Sequence, residues 1–148
     1  RRIIERHTPG ALKIAPEHTD ADLLTLMHKE PHAVLRQFIG ACRQIARELG
    51  HDLRFSPYII TAHPGCSDSH VRRLVKDLRA LDLQVRAFQD FTPTPGTIST
   101  AMFVTGRRRD TREPLTVPKN ASERKRQRDI IEKEYLTGAG PGRRKTRR

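Results

Sequence analysis

Cysteine occurs only twice in this chain, as Cys42 and Cys66. The pair forms neither C-x-x-C nor C-x-x-x-C-x-x-C, so the chain cannot build a zinc or iron–sulfur site from its own thiols. Two thiols in a basic chain without a secretory leader are expected to be free rather than bridged. No apolar run exceeds a few residues, far short of the roughly 20 that span a bilayer. No signal-peptide pattern opens the chain, and these absences favour a soluble cytoplasmic protein. There is no Walker loop, no G-x-G-x-x-G and no Ser-His-Asp order, so NTPase, dinucleotide and hydrolase readings lack support. The chain begins Arg1-Arg2-Ile3-Ile4 without an initiator Met, which is read here as the mark of a fragment.

What remains is a 148-residue chain of net charge +12, enough for one domain with one modest core. The charge is uneven. Of 29 Lys and Arg and 17 Asp and Glu in all, residues 107–148 carry 15 and 6, leaving 14 and 11 for the first 106 residues. Clustered cations of this kind can contact phosphates by releasing counterions. They can equally form a solvated, partly disordered tail that buries too little apolar surface to fold. Tyr135 is the tail's one aromatic for stacking on bases, and the solvated tail is the preferred reading.

Along the chain, Leu12-Lys13-Ile14-Ala15 alternates as a strand and stops at Pro16. Thr19 is expected to open a helix with Asp22 as its capping-box partner. After Pro31, Val34, Leu35, Phe38, Cys42, Ile45 and Leu49 recur at helical spacing, and Gly50 supplies a C-cap. Residues 54–62 are β-branched and aromatic enough for a second strand, with Pro57 near its start. Ser67 caps the next helix, whose stripe is Val71, Leu74, Val75, Leu78 and Leu81. A third strand is expected over 83–91, then a short helix through Met102 closing at Gly106. A charged helix follows over 122–136, broken by Gly138-Ala139-Gly140-Pro141-Gly142.

Strand and helix alternate three times, which calls for right-handed crossovers and a parallel sheet. A parallel sheet needs cover on both faces, and three strands leave an edge open. The reading is therefore α/β: a partial, incomplete parallel β/α barrel of about three β/α units over residues 1–106. A basic extension, helical in part and partly disordered, follows over 107–148. In parallel β/α sheets ligands bind at the carboxyl ends of the strands. The unusual residues of this chain fall there: Pro16-Glu17-His18, His63-Pro64-Gly65-Cys66, and Asp90 through Thr97. Three loops should meet at one rim.

Each of these residues has two readings. Glu17 and His18 are ligand contacts, or Glu17 simply favours the positive end of a helix. His63, held extended by Pro64, binds substrate or cofactor, or is a satisfied packing residue. Gly65 lets the backbone turn tightly and approach a ligand. Cys66 is a thiolate at a helix N-terminus or a small buried filler, the latter preferred. The Thr92-Pro93-Thr94-Pro95 run is a stiff connector or a binding loop.

At these same loops the sequence resembles the YgiQ-type radical S-adenosylmethionine proteins. The matching stretches are LKIAPEH (12–18), LMHKEP (26–31), HPGCSD (63–68), QDFTPTPGTISTAMFVTG (89–106) and VPKNASERKRQR (117–128), in family order. HPGC and PTPGT also resemble, more distantly, stretches of methylthiotransferase-type radical enzymes. The resemblance implies that these strands are the last three of a six-unit barrel whose missing N-terminal half carries a three-cysteine loop and its 4Fe-4S cluster. It implies that Ile60 packs on the adenine of S-adenosylmethionine and that Phe91-Thr92 offers backbone to it. Glu17 and His18 would approach the methionine or ribose end, with His63 and Gly65 on the same rim. The chain departs from the wider radical pattern at Ala62, where Gly is usual, and at Cys66, where Glu is common. Lacking the cluster thiolates, it should be inactive alone, as a fragment of a parent enzyme whose cofactor carries the chemistry. The competing classes are a stand-alone basic RNA-binding module and, more weakly, a scaffold subunit with no chemistry.

Overall fold

The computed structural model of the chain describes residues 1–85 and 87–136. A short helix, α1 (Arg2–Arg6), precedes the first strand, β1 (Ala11–Glu17). There follow α2 (Ala21–Leu26), α3 (His32–Leu49), β2 (Arg54–Thr61), α4 (Asp68–Ala80), β3 (Ala87–Asp90), α5 (Ile98–Thr105) and α6 (Ala121–Ile131). The last of these runs into a π-helical turn over Glu132–Leu136. The strands form one parallel sheet in the order β1-β2-β3, as the alternation of strand and helix requires. The sheet is open, so the molecule is a mixed α/β structure and not a barrel. Neighbouring strands rotate by only about 20–25°, and three of them cannot curl far enough to close.

The helices begin and end where their local chemistry says. α3 starts after Pro31 and stops at Gly50, which takes the left-handed conformation at φ 67°. Its buried line is Ile39, Cys42 and Ala46, narrower than the expected stripe. Val34 and Phe38 remain 44% and 45% exposed and instead line an open cavity beside β1. α4 is capped by Ser67, whose hydroxyl accepts from the His70 N–H while the His70 ring accepts from the Ser67 N–H. Its Val71, Leu74, Val75 and Leu78 are buried in the core.

Three local expectations are corrected. The cap of α2 is Asp20, whose Oδ1 accepts from the N–H groups of Asp22 and Leu23. Thr19 is drawn away because its hydroxyl donates to Asp77 at 2.7 Å, 58 residues along the chain. β1 does not stop at Pro16. The register runs from Ile14 opposite Pro57 to Glu17 opposite Ile59, a bulge that absorbs one extra residue and lets the proline sit where no ladder donor is needed. β3 is shorter than 83–91, because the Leu83 N–H returns to the Leu78 carbonyl and finishes α4.

Phe55, Pro57, Ile59 and Thr61 of β2 are buried, while Arg54 and Tyr58 are exposed and Ser56 and Ile60 half-exposed. Period-two alternation therefore gives the sheet one covered face and one open face. Residues 107–117 of the extension are exposed or half-exposed, but α6 does not pack loosely. Ile130 and Ile131 of α6 are buried in the common core, and so is Gln127. The Gly138–Gly142 break and the last ten residues, expected to be free, lie outside the described residues. No helix among the described residues is long and apolar enough to cross a membrane.

Candidate functional site

Because the strands are parallel, the ends of β1, β2 and β3 lie on one side of the sheet, and the turns that follow them are neighbours there. Two of these ends carry backbone in the left-handed region: Glu17 at φ 61° and Ala62 at φ 57°. A side chain costs about 1–2 kcal/mol in that conformation. The Ala62 turn is thus strained.

His63 lies just beyond β2 and is almost fully buried. Its Nδ1 is 2.8 Å from the Pro64 carbonyl, so Nδ1 carries the proton and donates. Nε2, the free acceptor, lies 2.8 Å from Ser99 Oγ at the start of α5, and the Ser99 hydroxyl donates to it. The ring meets Phe91 edge-on at 5.1 Å between centroids. Burial lowers the His63 pKa against the opposing pull of the Pro64 carbonyl and the Glu17 charge, so the ring is neutral. Both readings of His63 meet here: it is a satisfied residue, and it is also the centre of a small group formed by Ser99, Phe91 and Phe103. Ser99 escaped notice in the sequence, where only a Ser two residues past a Thr-rich turn could be seen.

His18 is buried deeper still. Its Nδ1 accepts from the Asp20 N–H at 3.0 Å, which places the proton on Nε2. That N–H has no partner among the described residues. Burial drives the His18 pKa down to about 3, only partly offset by Asp20, so the ring stays neutral. His18 borders the cavity of about 330 Å³ that Ala15, Pro16, Leu24, Lys29 and Phe38 also line. A buried donor without an acceptor is uncommon in native structures. Glu17 is paired with Lys29 at 3.3 Å.

The other candidates are placed as follows. Ile60 is half-buried on the face opposite Ile59, in register with Gln89 of β3. Gly65 has φ 90°, and a Cβ there would meet Leu26 Cδ1 at 2.7 Å and Leu115 Cδ1 at 3.2 Å. The close approach it allows is thus to protein side chains. Phe91 donates its N–H to the Thr61 carbonyl at 2.7 Å, and Thr92 is exposed. The structure therefore brings His63 and Phe91 into contact and sets Glu17 within electrostatic reach of His63, while Thr92 is exposed. Cys66 is a buried filler, its thiol pushed up to about 12 by burial. Both cysteines are free, and among the described residues no three His, Cys, Asp or Glu could hold a metal ion.

The extension is tied to this end of the molecule. Arg108 grips Asp22 through two hydrogen bonds of 3.0 Å, Arg126 pairs with Asp68, and Arg128 pairs with Asp90. Asp90 also accepts from the Thr61 hydroxyl at 2.8 Å, joining β2 to β3.

Comparison with known proteins points the same way as the loop strings. A UPF0313 protein of Methanocella arvoryzae is 36% identical over 130 residues, 88% of this chain and 22% of that protein. One from Clostridium perfringens is 35% identical over 132 residues, 89% of this chain and 20% of that protein. One from Geobacter sulfurreducens is 35% identical over 131 residues, 88% and 22% respectively. The chain spans about a fifth of the length of the curated relatives it matches. No family model matches the chain, and no solved structure matches it.

Proposed function

We propose that this chain is a portion of a radical S-adenosylmethionine protein of the UPF0313, YgiQ-like kind, and that its strand ends supply part of the rim that holds the cofactor. The observation that carries the reading is a conjunction. Likeness to UPF0313 proteins extends over 88% of the chain, and the APEH, HPGC and QDFTPTP strings stand together at one end of a parallel sheet. Ligands of parallel β/α sheets bind at that end.

The chain's own residues do not fit the iron–sulfur cluster. Three thiolates are needed, and its two cysteines are buried, with the Cys66 thiol strongly resistant to ionisation. On this reading the cluster belongs to a preceding part of the same polypeptide. The residues do fit the organic cofactor. Bound to such a cluster, S-adenosylmethionine supplies radical chemistry, and the protein's part is to bind and orient it. Ile60 offers an apolar surface to the adenine from the open face of the sheet. The Phe91 N–H is committed to Thr61, so a backbone hydrogen bond to the base falls to the Phe91 carbonyl or the Thr92 N–H. His18, whose buried Nε2–H has no partner among the described residues, and Glu17, paired with Lys29, would approach the ribose or methionine end. His63, oriented by Pro64 and Ser99, holds the rim between them.

The RNA-binding alternative draws less support, because Arg108, Arg126 and Arg128 of the basic extension are turned onto carboxylates of the protein itself. The test is anaerobic reconstitution of the whole polypeptide with iron and sulfide, followed by assay for 5′-deoxyadenosine. Reductant-dependent formation of that product supports the reading. A polypeptide with no C-x-x-x-C-x-x-C upstream and no such product contradicts it.

A further inference from the structure

We propose that Gln127 is a positioning residue: carried on the C-terminal extension, it clamps the turn that follows β2 and so holds the His63 imidazole in place. The turn runs from Ala62 to Cys66. Gln127 Oε1 accepts from the Ala62 N–H at 2.8 Å, and Gln127 Nε2 donates to the Cys66 carbonyl at 3.0 Å. One side-chain amide therefore closes both ends of a single five-residue turn, with the side chain almost wholly buried. The extension adds a third bond to the same turn, from the Gly65 N–H to the Thr116 carbonyl at 2.7 Å.

The chemistry at this position is restrictive. A residue there must accept from an N–H and donate to a carbonyl at once, which a neutral amide does and an ionised carboxylate or a thioether cannot. The turn also needs outside support, because Ala62 holds φ 57° without the freedom of glycine. His63 follows directly, and its ring contacts with Pro64, Ser99 and Phe91 all depend on where that backbone lies.

The delivery of Gln127 is equally specific. Residues 127, 130 and 131 share one face of α6, and Ile130 and Ile131 are sunk in the core. These two anchors set the rotation of the helix, and the Asn120–Glu123 capping box sets its start. Arg126 on Asp68 and Arg128 on Asp90 bracket the glutamine on either side. A segment that reads as a charged tail is thereby a structural member of the rim. Only the purpose of the turn rests on the function proposed above; its clamping by Gln127 does not.

Amide exchange on the 148-residue chain tests this with no cofactor present, comparing Ala62 with Leu74 in the centre of α4. Gln127→Met should lower the protection of Ala62 by roughly tenfold or more at every pH and move the His63 ring resonances, with Leu74 changed far less. Near pH 8 Gln127→Glu keeps an acceptor for the Ala62 N–H but sets a carboxylate against the Cys66 carbonyl, so Ala62 should lose less protection than in Gln127→Met while the His63 ring resonances still move. Those resonances should return toward the parent's as the pH falls and the carboxyl gains a proton to donate to the Cys66 carbonyl, with a midpoint above the ordinary glutamate value of about 4.3 because the site is buried. Equal loss of protection at Ala62 and Leu74 in both variants would reduce Gln127 to a general packing residue and overturn the proposal. So would Gln127→Glu leaving the His63 ring resonances where the parent has them at pH 8. Failure of the whole polypeptide to form 5′-deoxyadenosine would sink the functional reading while leaving this clamp standing.

Discussion

Replacing Ile131 by Ala asks whether the basic extension belongs to the folded core. Ile131 is fully buried, with Ile130 beside it and α4 beneath. Removing its outer carbons forfeits their transfer free energy and leaves a void between two helices that are held apart by neighbouring contacts. Such substitutions cost about 2–5 kcal/mol, against a total of about 5–15 kcal/mol for a typical domain. At about 3 kcal/mol the midpoint of thermal unfolding should fall by roughly 10 °C, since each kcal/mol moves a chain of this size by about 3–4 °C. The assay is urea and thermal unfolding of the 148-residue chain, followed by circular dichroism. Val104→Ala provides the control, because Val104 is 67% exposed and should change stability by less than about 0.5 kcal/mol. If Ile131→Ala were no more costly than Val104→Ala, α6 would be a loosely attached appendage, and the tie between extension and rim would fall with it.

Other outcomes follow from the same geometry. Ala62→Gly should raise stability by up to about 1 kcal/mol, the relief of a left-handed alanine less the entropy of glycine; a clear loss in the urea midpoint would mean that the turn is not strained. His18 titrates near 6.5 when unfolded and about 3 when folded, so the unfolded chain binds more protons between those values. Stability is then full above about pH 6.5 and declines as pH falls, by about 2–3 kcal/mol at pH 4.5. His18→Asn should flatten that stretch of the profile, and a slope unchanged by the substitution would place its origin elsewhere. Cys66, its thiol held near 12, should resist iodoacetamide in the native chain at about pH 8 and react only after unfolding; rapid native labelling would contradict its burial.

Much of the architecture is legible in local patterns. Pro31 and Gly50 bracket α3, Ser67 caps α4, and the order of strands and helices dictates a parallel sheet, because each of these signals acts within a few residues. What escaped the reading is made by distant partners. Thr19 looks like the cap of α2 until Asp77, far along the chain, takes its hydroxyl. Ile130 and Ile131 are two apolar residues in a run of charge, and nothing near them announces that they find a core. Gln127 reads as one more polar residue of a basic helix, and only the fold brings it to both ends of the Ala62–Cys66 turn. The candidate site divides the same way. Its loops are visible as unusual strings at strand ends, whereas the depth of His18 and His63, and the Ser99 contact, depend on packing that no spacing encodes.

The proposed cofactor site depends most directly on Ile60, placed on the open face of the sheet beside the rim. Isothermal calorimetry of S-adenosylmethionine against the whole cluster-loaded polypeptide, with and without Ile60→Asp, measures its role. Saturable binding by the parent and its loss in the variant are expected, since a carboxylate against the adenine would be desolvated without a partner. Little or no binding by the 148-residue chain alone is expected. Normal binding by the Ile60→Asp polypeptide would contradict the placement of the cofactor on these strands.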